Sequence, residues 1–294
     1  MITSVDKMNS FHEVDTPGNI FDMNYSSWNV RCTVIAAGFL FYFTIFILSH
    51  VLCLVLSATY CSLPAKEKVF WNLAVTRGVF GIQSMVAGLW ALLKDSELHA
   101  DKILGQRNWC WFNILTAIGF FMLENAALHG SNAVFKTFDM ALAVHHFFAI
   151  TGFATNLMWD NIGHYLPMMI LLLEMSTPFT CISWILLKAG FAHLPLWKLN
   201  QWLMIHLFHC RMILTYHIWW VCWQNFEIIK LHVPVPQAVL FFSGLFLLTF
   251  IINPHWTRKK TMQLFNPVDW NFVKEKETGK RMNGEVKKVL KKTS

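Results

Sequence analysis

The chain has 294 residues, 55% of them hydrophobic and only 14% charged, with a mean hydropathy of +0.42. A soluble domain carries about 25% charged residues and cannot cover this much apolar surface, so a water-soluble globular fold is excluded and a bilayer is required. From Pro254 onward there are eleven Lys or Arg against four Asp or Glu, so the whole net charge of +7 sits in the tail; it describes a basic segment beside a membrane and says little about nucleic acid, which is not an expected partner.

In chain order, residues 1–31 are polar and of mixed charge. The first apolar run starts too late and runs too long for a cleaved signal peptide. Asn24-Tyr25-Ser26 is a glycosylation sequon beside that run. Seven apolar runs follow, at 33–56, 69–93, 108–131, 136–158, 162–187, 199–224 and 235–253. Each approaches the roughly 20 helical residues that cross about 30 Å of hydrocarbon. The expected fold class is all-α, a multi-pass membrane protein with about seven transmembrane helices. Lys66, Lys68, Lys136, Lys188 and Lys198 fall in alternate loops, which predicts a lumenal N-terminus and a cytosolic C-terminus. Trp71, Trp90, Trp109, Trp111, Trp159 and Trp256 lie near run ends, where an interfacial belt is expected. The expected division is a lumenal segment 1–31, a transmembrane domain 32–253 and a basic cytosolic tail 254–294. The seven cysteines form no C-x-x-C pair and read as core thiols, with Cys61 a candidate for juxtamembrane palmitoylation. In the fifth run, Pro178 deprives the carbonyl of Glu174 of its helical hydrogen bond and is expected to kink the helix there.

The chain ends Lys291-Lys292-Thr293-Ser294. Two lysines at the third and fourth positions from a cytosolic C-terminus form a dilysine retrieval signal, read by the coat proteins of retrograde vesicles through two ammonium groups and the terminal carboxylate. The alternative is a solvated basic tail held by anionic lipid.

A charge at the centre of a bilayer helix costs at least ~2.5–3.5 kcal/mol, so such groups face the bundle interior, pair, or do chemistry. The apolar runs hold Arg77, Glu124, His129, Asp139, His145, His146, His164, Glu174, His206, His209, Arg211 and His217. At about 100° per residue, His206, His209 and His217 share one face of the sixth run, and Arg211 points about 140° away from His206. Asp139 and His146, seven apart, share a face within about 20°, and an aspartate there would orient the ring as a general base. The competing reading is that these groups bond across helices and fix the packing. A metal site is a further rival, though no H-x-x-x-H or H-E-x-x-H spacing is present and no metal is expected.

Three stretches, DMALAVHHFF (139–148), LEMSTPFT (173–180) and WKLNQWLMIHLFHCRMILTYHIWW (197–220), together resemble the TLC-domain family, which includes ceramide synthases and translocon-associated membrane proteins. The resemblance implies a helical barrel around a membrane-embedded cavity, in the endoplasmic reticulum and the reticulum–Golgi intermediate compartment. It matches His145 and His146 to the histidine pair that helps ceramide synthases transfer an acyl chain from acyl-CoA. The second, histidine-containing motif of those enzymes is replaced here by Glu174-Met175-Ser176-Thr177-Pro178, which points away from ceramide synthesis and toward a hydroxyl or phospholipid acceptor. In the enzymatic reading His145, His146, Asp139 and Glu174 are catalytic, with His146 taking the acceptor's proton and Asp139 orienting it. Arg77, Glu124, His206, His209, Arg211 and His217 then bind substrate. Membrane lipids are the partners, and acyl-CoA is a co-substrate, with no further cofactor. The resemblance also implies the other class of function, a recycling receptor that moves newly made lysosomal enzymes from the reticulum to the Golgi with other reticulum membrane proteins. In that reading Lys291 and Lys292 return it, and Phe265, Trp270 and Phe272 serve as export contacts.

Overall fold

The computed structural model describes residues 23–136, 140–160, 162–269 and 272, with Ala141 described in its backbone alone. Asp139, Trp270, Lys291 and Lys292 lie outside the described residues, and so do the expectations placed on them. Among the described residues there is no β-strand. The helices are α1 (Trp28–Leu56), α2 (Ala58–Ser62), α3 (Ala65–Leu93), α4 (Ser96–Ala100), α5 (Asn108–Phe135) and α6 (Met140–Met158). They continue as α7 (Tyr165–Leu172), α8 (Thr177–Lys188), α9 (Pro195–Gln224), α10 (Phe226–His232), α11 (Val235–Leu247) and α12 (Asn253–Phe265). Among the described residues, four helical stretches can cross a membrane by length and composition: Trp28–Leu56, Asn108–Phe135, Tyr165–Lys188 and Val235–Phe265. Helices α3, α6 and α9, of 29, 19 and 30 residues, carry many of the ionisable side chains.

Helix α1 is apolar on every face and leaves Leu40, Leu52, Val55 and Leu56 exposed, as a lipid-facing helix does. It meets α5 backbone to backbone: a Cβ on Gly119 would stand 2.5 Å from the carbonyl oxygen of Ile35. Close approach of this kind stands in for the hydrophobic effect, which is absent between helices in lipid. Interhelical hydrogen bonds add to it. The Tyr42 hydroxyl donates to Gln83 Oε1, and Gln83 Nε2 donates to Asn113 Oδ1 at 3.1 Å and Thr116 Oγ1 at 2.8 Å.

The fifth run breaks where Pro178 requires it. Residues Leu173–Ser176 tighten into a 3-10 turn between α7 and α8, with Pro178 in the first turn of α8. Gly81 of α3 packs into the break, its missing Cβ leaving room for Pro178 Cδ 2.7 Å away. The seventh run differs from expectation. A π-helical turn, Leu248–Ile252, joins α11 to α12, absorbing the N–H that Pro254 lacks, and the rod continues to Phe265 instead of ending at 253. Beyond it the chain folds back. Asp269 Oδ2 lies 2.6 Å from Lys188 Nζ, which also holds Glu67 Oε2 at 2.7 Å. Phe272 is buried against Phe70 and Trp184, so it is not a free export contact; Phe265 is exposed.

The chain path defines two ends. The start of α1 and the loops around 94–107, 159–164 and 225–234 gather at what we call the upper end; Glu67, Lys188 and Asp269 mark the lower end. At the upper end Arg31 donates to the Tyr25 carbonyl at 2.6 Å, pairs with Asp160 at 2.5 Å and covers the Trp111 ring at 4.5 Å. The expected tryptophan belt is therefore only partial: Trp90 is exposed, but Trp111 and Trp71 are buried between helices, where their rings pack against charged and aromatic partners. The thiols also divide, with Cys110, Cys181 and Cys222 buried and Cys32, Cys61 and Cys210 exposed.

His164 precedes α7 and does not lie within a helix; its Nδ1 is 3.0 Å from the Arg107 N–H and its ring stands edge-on to Trp111. Burial pushes its pKa down from 6.5 to about 4, with the nearby Arg31 charge adding to the shift and the Arg107 backbone opposing it. The unfolded chain therefore takes up a proton between pH 6.5 and 4 that the folded chain refuses. The stabilisation is complete above 6.5 and is lost as pH falls to 4, about 3 kcal/mol in all. The expected result is a Tm of the purified protein that drops over this window, with the drop much reduced in His164→Gln. An equal drop in that variant would place the titration elsewhere.

Candidate functional site

Adjacent positions on a helix point about 100° apart, so His145 and His146 of α6 serve two different neighbours. His146 turns toward α5 and is 3% exposed. Its Nε2 lies 3.6 Å from Glu124 Oε1, which also accepts from Arg77 Nε of α3. Glu124 is buried as well, so the three form a dry ionic cluster joining α3, α5 and α6. Arg77 Nη2 and His146 Nδ1 have no hydrogen-bond partner among the described residues.

His145 turns the other way, onto the wall of a cavity that also meets Glu174, Arg211 and Phe121. The cavity lies between α6, α7, α9 and α11 and has a volume of about 130 Å³. Its inner end is polar. Arg211 Nη1 donates to Ser176 Oγ at 2.9 Å, while its Nε is buried without a partner. Thr177 Oγ1 donates to Glu174 Oε2 at 2.5 Å. Trp256 of α12 stands edge-on to the His145 ring, centroids 5.3 Å apart, and takes the Arg211 guanidinium at 6.0 Å. The walls are apolar, from residues such as Phe148, Ile170, Phe241 and Leu248. Phe121 lies between the cavity and His146, its ring 6.3 Å from that imidazole. The arrangement is an apolar cavity headed by an imidazole, a carboxylate and a guanidinium. Chemically it can bind a long-chain lipid and move a proton at its head.

The structure thus brings together Arg77, Glu124 and His146 as one group, and His145, Glu174 and Arg211 as another. His145, not His146, faces the cavity. The carboxylate beside His146 is Glu124; the orienting role expected of Asp139 lies outside the described residues. His206 and His209 do not reach the cavity. Their face of α9 points outward, because Met204, Phe208 and Arg211 occupy the inward one, and their Nδ1 atoms bond carbonyls of their own helix at 2.9 and 2.8 Å. His217 is bound at 2.9 Å to the Tyr165 hydroxyl and is likewise outside the cavity wall. The sequence reading missed Ser176 and Trp256. It also missed Asn253, which is fully buried with both amide atoms unpartnered, one turn from Trp256. The IINP segment, an asparagine before a proline inside an apolar run, was the available signal. Among the described residues no three His, Cys, Asp or Glu side chains are grouped to hold a metal ion.

An all-helical bundle with membrane-length apolar helices and a histidine-headed interior cavity is a polytopic membrane protein. The TLC domain profile matches residues 70–260, and the chain belongs to that family. It is 60% identical over 271 residues to Protein CLN8 of Rattus norvegicus, covering 91% of this chain and 94% of that one. It is 59% identical over 266 residues to Protein CLN8 of Homo sapiens, covering 90% and 93%. To TLC domain-containing protein 2 of Homo sapiens it is 25% identical over 185 residues, 61% of this chain and 65% of that one. No solved structure matches the chain.

Proposed function

We propose that the protein is an acyltransferase of the endoplasmic-reticulum membrane, moving an acyl chain from acyl-CoA to a hydroxyl of a lipid acceptor inside the bundle. The observation that carries the reading is the apolar cavity with His145, Glu174 and Arg211 at its head. In the step, the acceptor oxygen adds to the thioester carbonyl carbon as His145 removes its proton; the C–S bond then breaks and the proton passes to the leaving thiolate. Arg211 supplies positive charge for phosphate. The reading includes about seven crossings arranged as a barrel, the lower end cytosolic, and a place in the reticulum and intermediate compartment. Gly152 tests it. This glycine lines the cavity, and a Cβ there meets nothing within 4 Å. Gly152→Leu is expected to fill the tube, lowering transfer by the purified protein at least ~10-fold while leaving Tm unchanged or higher, since a helical glycine is itself unfavourable by about 0.5–1 kcal/mol. Full activity in that variant would remove the cavity from the reaction.

A second reading rests on the terminal Lys291-Lys292-Thr293-Ser294. A receptor that cycles cargo such as lysosomal enzymes between reticulum and Golgi, retrieved by vesicle coats, requires such a signal. Lys291→Ala with Lys292→Ala is expected to shift the protein to the Golgi by light microscopy; an unchanged distribution counts against recycling.

A further inference from the structure

The cavity has a second polar end. Asn156 stands eleven residues beyond His145 on α6, about 16 Å along the helix, and with Gln237 of α11 it lines the upper end of the same space. The hydrogen bonding fixes which atoms remain. Asn156 Nδ2 donates to the Gly152 carbonyl at 3.2 Å, which leaves Asn156 Oδ1 as an acceptor, and Gln237 Nε2 fills it at 3.4 Å. Gln237 Oε1 is then left without a partner although the residue is only 6% exposed. A buried carbonyl without a donor costs about 1–3 kcal/mol, and a tube meant for a bare alkyl chain has no reason to place one at its far end. Among the described residues lining the cavity only Glu174 and Arg211 carry formal charge, both at the inner end, and the Arg31 and Asp160 charges of the upper end are paired with each other outside the lining. The free atom accepts and does not donate, so it calls for an uncharged donor, of which an O–H is the simplest a lipid carries.

We infer that the Asn156–Gln237 pair is a subsite for an uncharged hydroxyl, and that the lipid held in the cavity carries such a hydroxyl at its upper end. This names the substrate class of the cavity, and so rests on the reading that the cavity holds a lipid. The hydroxyl comes either from a glycerol head group or from a sterol.

Equilibrium binding to the purified full-length chain in detergent separates the cases. One matched pair is 1-monooleoylglycerol and methyl oleate; the other is cholesterol and 5-cholestene, which lacks the hydroxyl. The expected result is that the hydroxylated member of one pair binds about tenfold more tightly, and which pair shows this identifies the source. Gln237→Met, close in size and without the carbonyl, is expected to erase the preference and leave methyl oleate binding unchanged; Asn156→Leu does the same should the first variant not fold. Equal affinity within both pairs in the unaltered protein, or a preference that survives both substitutions, overturns the subsite. Failure of all four ligands to bind overturns the lipid cavity itself.

Discussion

Glu124→Ala is expected to lower the stability of the purified protein by about 3–5 kcal/mol, the cost of leaving a buried guanidinium without its carboxylate. Glu124 is buried and the Arg77 side chain is 14% exposed; they face each other across α3 and α5, and the His146 ring adds a third group to the same carboxylate. Little of either charge reaches the surface once its partner is gone. Removing both charges together is a different perturbation: Arg77→Met with Glu124→Leu keeps the volume and takes away the desolvation cost, and replacements of that kind are often neutral or stabilising. Thermal unfolding in detergent should therefore show a large loss for either single variant and recovery in the double one. Equal losses in all three would mean that the pair is solvated, and that α3, α5 and α6 do not enclose a dry centre.

This ion pair also marks what a single sequence leaves open. Arg77 and Glu124 are conspicuous as charges in apolar runs, but 47 positions separate them, and their pairing depends on how far each helix is rotated toward the other. Helical arithmetic placed His206 and His209 on one face of α9 and Arg211 on another. It gave both faces to substrate, because the sixth run carries aromatic residues all round and its histidine stripe read as an inward polar side. Buried Arg211 and outward His206 are opposite to what hydropathy alone expects. The break at Pro178 was legible because proline acts locally through its missing N–H. The π turn before Asn253 was not, because Pro254 read as the end of a helix. The docking of Phe272 beneath Lys188 joins two distant segments through contacts that no periodicity encodes. What sequence supplied was the inventory of groups; the division into a dry ionic cluster and a cavity head came from helix rotation.

That division sets the last expectation. His145→Gln should lower kcat for acyl transfer by roughly 10²–10⁴, the range for losing a positioned general base, with little change in KM. Glutamine retains hydrogen-bonding capacity near the acceptor but cannot carry the proton away. The ring lies on the cavity wall, and Trp256 is packed against it, so the side chain can be replaced without uncovering a buried charge. His146→Gln should behave differently. Its ring is shielded from the cavity by Phe121 and sits 3.6 Å from Glu124, so its loss disturbs the cluster that seats α6 and should reduce Tm and kcat together. Separate measurement of Tm and of steady-state kinetics for the two variants distinguishes the roles. If His146→Gln abolishes turnover at unchanged Tm while His145→Gln is fully active, the proton path runs through α5 and not through the cavity, and the assignment of His145 as the base is wrong.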